Sequence, residues 1–152
     1  METITIVFTK AMWNPLSWLI RYVLPRSRFA LAMSSHCYID CGVLFYEADP
    51  FTGVRVIDKK SVLTYNTVVK TIVYTVHDAG AGIDFLNKQL GKKYDFKGAL
   101  GLGLAPDRKW HEDNSWFCYE LAAATLRAAG RESFDNLCHV TEIALMSICP
   151  TK

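Results

Sequence analysis

Cys118 stands at the head of a helical pattern in which Phe117, Leu121, Ala122, Thr125, Leu126 and Ala129 form one apolar face and Gly130 ends the run. Asn114 or Ser115 is the expected N-cap. That cap would put the thiol in the first helical turn, where unpaired backbone N–H groups and the helix macrodipole favour an anion over a neutral group. Cysteines at such positions, with a histidine close by, have pKa values lowered from about 8.5 and attack carbonyl carbons as thiolates. An inert, buried cysteine is the competing reading, because free cysteine is among the most buried residue types. A partner must decide between them.

The candidate partner is His36, in the strand-like run Ser34-Ser35-His36-Cys37-Tyr38-Ile39-Asp40. Alternation puts His36, Tyr38 and Asp40 on one face and Cys37, Ile39 and Cys41 on the other. If Cys41-Gly42 is a two-residue hairpin turn, Asp40 pairs with Val43, Tyr38 with Phe45 and His36 with Glu47. Directly opposed side chains have Cβ atoms roughly 4.5–5.5 Å apart, so Glu47 is within reach of one imidazole nitrogen and leaves the other for a thiol. Asp40 lies about 13 Å along the strand from His36 and fails on distance. A longer loop would shift this register. His36 also has a plain reading as a sheet histidine with no task. His77 and His139 are expected to satisfy nearby backbone groups, and His111 to be a solvated loop residue.

Two other chemistries fail on spacing. His36, Cys37 and Cys41 are clustered, but zinc sites of this kind need two matched ligand pairs, and alternation turns His36 away from both thiols. No metal is expected. Gly98-Ala99-Leu100-Gly101-Leu102-Gly103 lacks the preceding buried strand and the following Gly-Lys-Ser/Thr of a phosphate loop. No cofactor is expected either.

The elements that must position these groups follow from periodicity. Thr3–Thr9 reads as a buried strand, and Asn14-Pro15 opens a short helix through Trp18, Leu19, Tyr22 and Val23 that Pro25 ends. From Ser34 to about Val76 the chain reads as a meander of antiparallel strands, with turns at Cys41-Gly42, Asp49-Pro50, Thr52-Gly53 and Lys59-Lys60. Ile83, Leu86 and Leu90 mark a helix near 81–90 that Gly91 closes. Residues 91–110 are too rich in glycine for regular structure and read as a long, functional loop. A last helix runs near Thr141–Ile148. The order describes an α+β fold.

Composition sets the outer limits. The chain has 152 residues, enough for one domain over 1–152, and its 51% hydrophobic content is enough for a packed core. The 17 basic and 15 acidic residues are too balanced for a nucleic-acid footprint. Residues 16–31 are interrupted by Arg21, Pro25, Arg26 and Arg28 and fall short of a membrane span. Met1-Glu2-Thr3 carries no basic n-region, and the odd cysteine count of five suits reduced thiols, so a cytoplasmic protein is expected. Oligomeric state is not legible.

Taken in order, Ser35-His36-Cys37-Tyr38-Ile39, Glu47, Gly91-Lys92-Lys93-Tyr94 and Phe117-Cys118-Tyr119-Glu120 resemble the circularly permuted branch of the NlpC-like, papain-like cysteine peptidases and amidases. In that branch a Ser-His-x-x-Ile strand precedes a Phe-Cys-Ser-Glu helix that bears the nucleophile; here Tyr119 stands where the family usually has serine. The opening strand and Ser17-Trp18-Leu19-Ile20-Arg21 also resemble small proteins of this type from bacteriophages and prophages, which implies a host cytoplasm or a virion as the setting. The resemblance spans about residues 3–148. It implies a permuted papain-like fold, a meander or half-barrel sheet packed against helices. It further implies a hydrolase acting on a peptide, peptidoglycan or acyl substrate, with Cys118 as nucleophile, His36 as base and Glu47 as orienter. Tyr94 and Trp116 are its candidate substrate or oxyanion contacts. The permuted branch also resembles lipid-directed acyltransferases and thioesterases, and a catalytically silent phage structural or host-interaction module is the non-enzymatic alternative.

Overall fold

The structure, a computed structural model, describes residues 2–11, 34–104, 114–131, 137 and 140–148. The helix expected from Asn14 to Val23, and His111 and His139, lie outside the described residues. Five strands, β1 (Glu2–Ala11), β2 (His36–Asp40), β3 (Leu44–Asp49), β4 (Gly53–Asp58) and β5 (Asn66–Val76), form an antiparallel sheet in the order β4-β3-β2-β1-β5. Alternating side chains give the sheet two differently covered faces. Ile4, Ile6 and Phe8 of β1, Cys37 and Ile39 of β2, Ala48 of β3 and Tyr74 of β5 are buried on one face. Against them pack helices α2 (Ala79–Gln89), α4 (Cys118–Ala128) and α5 (Glu142–Ser147), through Leu86, Leu121, Leu126 and Leu145. On the other face Val7, Tyr38 and Phe45 pack against Val62 of α1 (Lys59–Tyr65). The mixed α/β character expected from element order is therefore observed, with an antiparallel sheet at its centre.

Three local readings need correction. The turn expected at Lys59-Lys60 is the start of α1, capped by Asp58, whose carboxylate accepts from the Ser61 backbone N–H at 2.9 Å. Its β-branched Val62 and Thr64 mask a helix that burial of Val62 stabilises. This helix carries the chain across the sheet, so β5 pairs with β1 at the far edge rather than continuing the meander. Second, residues 91–110 are not one irregular loop. Lys93–Tyr94 (β6) pairs in parallel with Ser115–Trp116 (β7), and Phe96–Leu104 forms helix α3. The Asp95 carboxylate caps α3 by accepting from the Gly98 N–H at 2.7 Å. A Cβ at Gly98 would lie 2.6 Å from that carboxylate, so the glycine admits the cap rather than breaking the helix.

Third, neither Asn114 nor Ser115 caps α4. Ser115 is in β7, and the N-cap is Phe117, which makes no side-chain capping bond. Cys118 is thus the first residue of α4. The helix ends as expected at Gly130, which takes φ +81°.

Glu120, in the first turn of the same helix, is 1% exposed, and burial with the nearby charge of Asp95 pushes its carboxyl up to about 8. The folded chain therefore keeps a proton that the unfolded chain gives up near 4.5. The resulting stability is fully present below that pH and is lost as pH rises through about 8. Glu120→Gln is expected to remove this dependence and to gain roughly 2–4 kcal/mol at pH 9, measured by urea unfolding against pH 5.

Candidate active site

The hairpin that presents His36 is built differently from the expected one. Asp40 pairs with Phe45 and Ile39 with Tyr46, so the register is displaced by two residues from the Asp40–Val43 pairing. The cause is the turn: Cys41 N–H donates to the Leu44 carbonyl at 3.0 Å, and Gly42, at φ +92°, sits inside the reversal with its N–H on the Asp40 carboxylate. Continuing the register places Tyr38 opposite Glu47 and His36 two pairs further along, opposite Asp49. A shift of two preserves the face of every side chain. Glu47 therefore meets His36 on the diagonal, a separation that long side chains bridge.

That contact is made. Glu47 Oε2 lies 2.8 Å from His36 Nε2, and Glu47, 3% exposed, is held from its other side by Arg55, whose Nε and Nη2 each lie 2.8 Å from Oε1. Burial pushes the Glu47 carboxyl up, but His36 and Arg55 together hold it below its ordinary value. The His36 ring packs edge-on against Tyr38, with centroids 4.7 Å apart. Asp40, the carboxylate set aside on distance, pairs with Lys59 instead.

With Nε2 engaged by Glu47, Nδ1 is the nitrogen left for Cys118. Burial alone would lower the His36 pKa, yet hydrogen bonding and attraction to Cys118, and then to Glu47, raise it to about 10. Burial likewise disfavours the Cys118 thiolate, but hydrogen bonds from Cys37 and His36 and the imidazolium charge bring its pKa well below the ordinary thiol value. Both shifts run in the direction of a thiolate–imidazolium pair. The N-cap residue Phe117 has no polar side chain to compete for the first-turn N–H groups, which suits this charge.

Sequence reasoning missed three contributors. Cys37 belongs to the helix-covered face, yet it helps to lower the Cys118 pKa, while burial and then hydrogen bonding to Cys118 push its own thiol well up. Arg55 was legible: the turn between Asp49 and Gly53 pairs it with Glu47 across β3 and β4. Tyr119, the departure from the family motif, shares a 3.2 Å hydrogen bond with Ser34 Oγ and so ties the start of α4 to the segment entering β2.

Of the remaining candidates, Tyr94 is buried, and its phenol is pushed well up first by burial and then by the charge on Cys118, which keeps it a neutral donor near the thiol. Trp116 turns elsewhere: its indole N–H donates to Gln89 Oε1 at 3.1 Å, and its ring meets Phe85 edge-on. His77 uses its backbone N–H on the Ala129 carbonyl. Among the described residues, no group of three or more His, Cys, Asp and Glu converges as a metal site.

Glu47→Gln keeps an acceptor for His36 and removes the charge. The imidazolium is expected to titrate below about 10, and the alkaline limb of Cys118 reactivity to move down with it, read from alkylation rates against pH. Compared with known proteins, the chain matches no family model, no curated protein and no solved structure.

Proposed function

We propose that the chain is a cysteine-dependent hydrolase that splits an amide, ester or thioester through an acyl-enzyme. The observation that carries the reading is the His36–Glu47–Arg55 chain, bonded at 2.8 Å at each step, with His36 lowering the pKa of Cys118. The Cys118 thiolate attacks the substrate carbonyl carbon, and electrons move to the oxygen. The backbone N–H of Cys118 and the Tyr94 hydroxyl are suitable donors to that oxyanion, each worth roughly 2.7–4 kcal/mol when well aimed. On collapse, the imidazolium of His36 protonates the leaving group. The neutral imidazole then takes a proton from water, which attacks the thioester and frees Cys118. Glu47 stays ionised throughout and holds the imidazole in place.

A nucleophile helix laid against a sheet that carries the histidine also supports a permuted papain-like fold, in line with the motif resemblance. Among the described residues no helix is long and apolar enough to cross a membrane. The burial of Cys118, 5% exposed, favours the second reading of a catalytically silent module with the same architecture.

Reaction with p-nitrophenyl acetate separates the two. The hydrolase reading expects a burst of about one p-nitrophenol per chain and one acetyl group on the Cys118 peptide, seen by mass spectrometry after acid quench. Acetylation spread evenly over lysines and the other thiols, with no burst, is the result that overturns it.

A further inference from the structure

A groove of about 760 Å³ lies between the Pro50–Gly53 turn on one side and β6 with Asn114 and Ser115 on the other. Its lining includes Tyr94, which belongs to the same core cluster as Cys118, and Ser115, three residues before the thiol in the sequence.

Its lining is chemically one-sided. Phe51 is 80% exposed and Phe96 is 45% exposed, so two aromatic rings face solvent where burial would stabilise them. Lys92 and Lys93 also line it, and the carboxylates of the same segments are engaged elsewhere, Asp49 with the Thr52 hydroxyl and Arg55, and Asp95 with the Gly98 N–H. Lys92 Nζ reaches Asn114 Oδ1 at 3.4 Å, and no partner is described for Lys93. The walls are fixed rather than adaptable. Asp49 accepts from the Phe51 and Thr52 N–H groups and the Thr52 hydroxyl, each at 2.9 Å, and so holds the turn that presents Phe51. The Val54 N–H donates to the Lys92 carbonyl at 2.8 Å, and the Gly91 N–H to the Val54 carbonyl at 2.9 Å, which clamps the two walls together.

We propose that this groove is the substrate-binding cleft of the Cys118 site and that it takes an apolar or aromatic group carrying a negative charge, seated on Phe51, Tyr94 and Phe96 with its anion toward Lys92 and Lys93. The inference rests on the hydrolase reading for its link to Cys118, while the groove's preference for anionic apolar ligands is a binding property that turnover does not affect. Charge selects the ligand and the rings hold it: a neutral aromatic would gain the apolar contact alone, and a cation would meet two like charges.

The probes are anilinonaphthalene sulfonate and phenylnaphthylamine, which share a ring skeleton and differ in the sulfonate, titrated by fluorescence into the folded full chain. The anionic probe is expected to bind at least about tenfold more tightly than the neutral one, as a charge-assisted contact supplies. Lys92→Glu/Lys93→Glu is expected to erase that difference, and Phe96→Ser to weaken both probes, with circular dichroism unchanged. Equal affinity for the two probes, or a difference that survives the lysine reversal, overturns the proposal. Its link to Cys118 has a separate readout: occupied by the sulfonate probe, the chain should be acetylated by p-nitrophenyl acetate several-fold more slowly. Binding with the expected charge preference but no such protection disconnects the groove from the thiol. An absence of Cys118 acetylation even without probe overturns the hydrolase reading and leaves the charge preference to stand or fall by itself.

Discussion

Replacing His36 by alanine is expected to lower the turnover of an activated ester by on the order of 10²–10⁴-fold, the usual contribution of a positioned acid–base group. Cys118→Ala removes turnover altogether. In the His36→Ala/Cys118→Ala double variant the rate should fall no further than in Cys118→Ala alone, because the imidazole works only through the thiolate that it pairs with. Steady-state kcat/KM on the two single variants and the double variant checks this. Folding is a separate matter: Cys118→Ala deletes one sulfur from the core cluster, a change that ordinarily costs about 1–2 kcal/mol, so the variant should remain folded while inactive. Retained turnover without the thiol contradicts the assignment.

The second large effect concerns the wall between the sheet and the groove. Gly53 takes φ +76°, and a Cβ built there lies 2.1 Å from the Lys92 carbonyl oxygen, a backbone atom that the Val54 N–H already holds. Gly53→Ala must therefore both enter the left-handed region and break a hydrogen-bonded contact. A loss of roughly 3–4 kcal/mol is expected, measured as a fall in the urea midpoint at constant slope. Gly42→Ala is the control. It shares a positive φ, +92°, but a Cβ there meets nothing within 4 Å. It should cost only the conformational term of about 1–2 kcal/mol. Equal losses at the two positions would mean that the close approach of β4 to Lys92 contributes nothing.

These two glycines also show where sequence reading succeeds and where it stops. Gly42 and Gly53 announce turns, and alternation from those turns correctly assigns the faces of Ile39, Phe45 and Tyr38. What a glycine does not announce is the length of its turn. Centring the reversal one residue early moved the expected pairing by two, and Glu47 stayed within reach of His36 only because side chains repeat every second residue. The apolar period of α4 was legible through Ala129, whereas its cap was not: Ser115 has a capping side chain, but parallel pairing of β7 with β6 claims it for a strand. That pairing joins segments more than twenty residues apart, and no local signal in Lys93-Tyr94 reveals it. Helix α3 was hidden by its own glycines, whose purpose becomes visible only when Asp95 is seen folded against Gly98. Cys37 was placed on the correct face and given no role, since its importance depends on where α4 begins.

The account stands on Cys118 carrying a negative charge in the folded chain because His36 and Cys37 stabilise it. The most direct measurement is the rate of iodoacetamide alkylation from pH 4 to pH 9, resolved cysteine by cysteine by mass spectrometry of the folded protein. At pH 6, Cys118 is predicted to react at least about tenfold faster than Cys37 or Cys41, with a rate that levels off on the acid side of neutrality and moves to higher pH in His36→Ala. A Cys118 rate that climbs with pH as an ordinary thiol does, near 8.5, and is indifferent to His36 would contradict it.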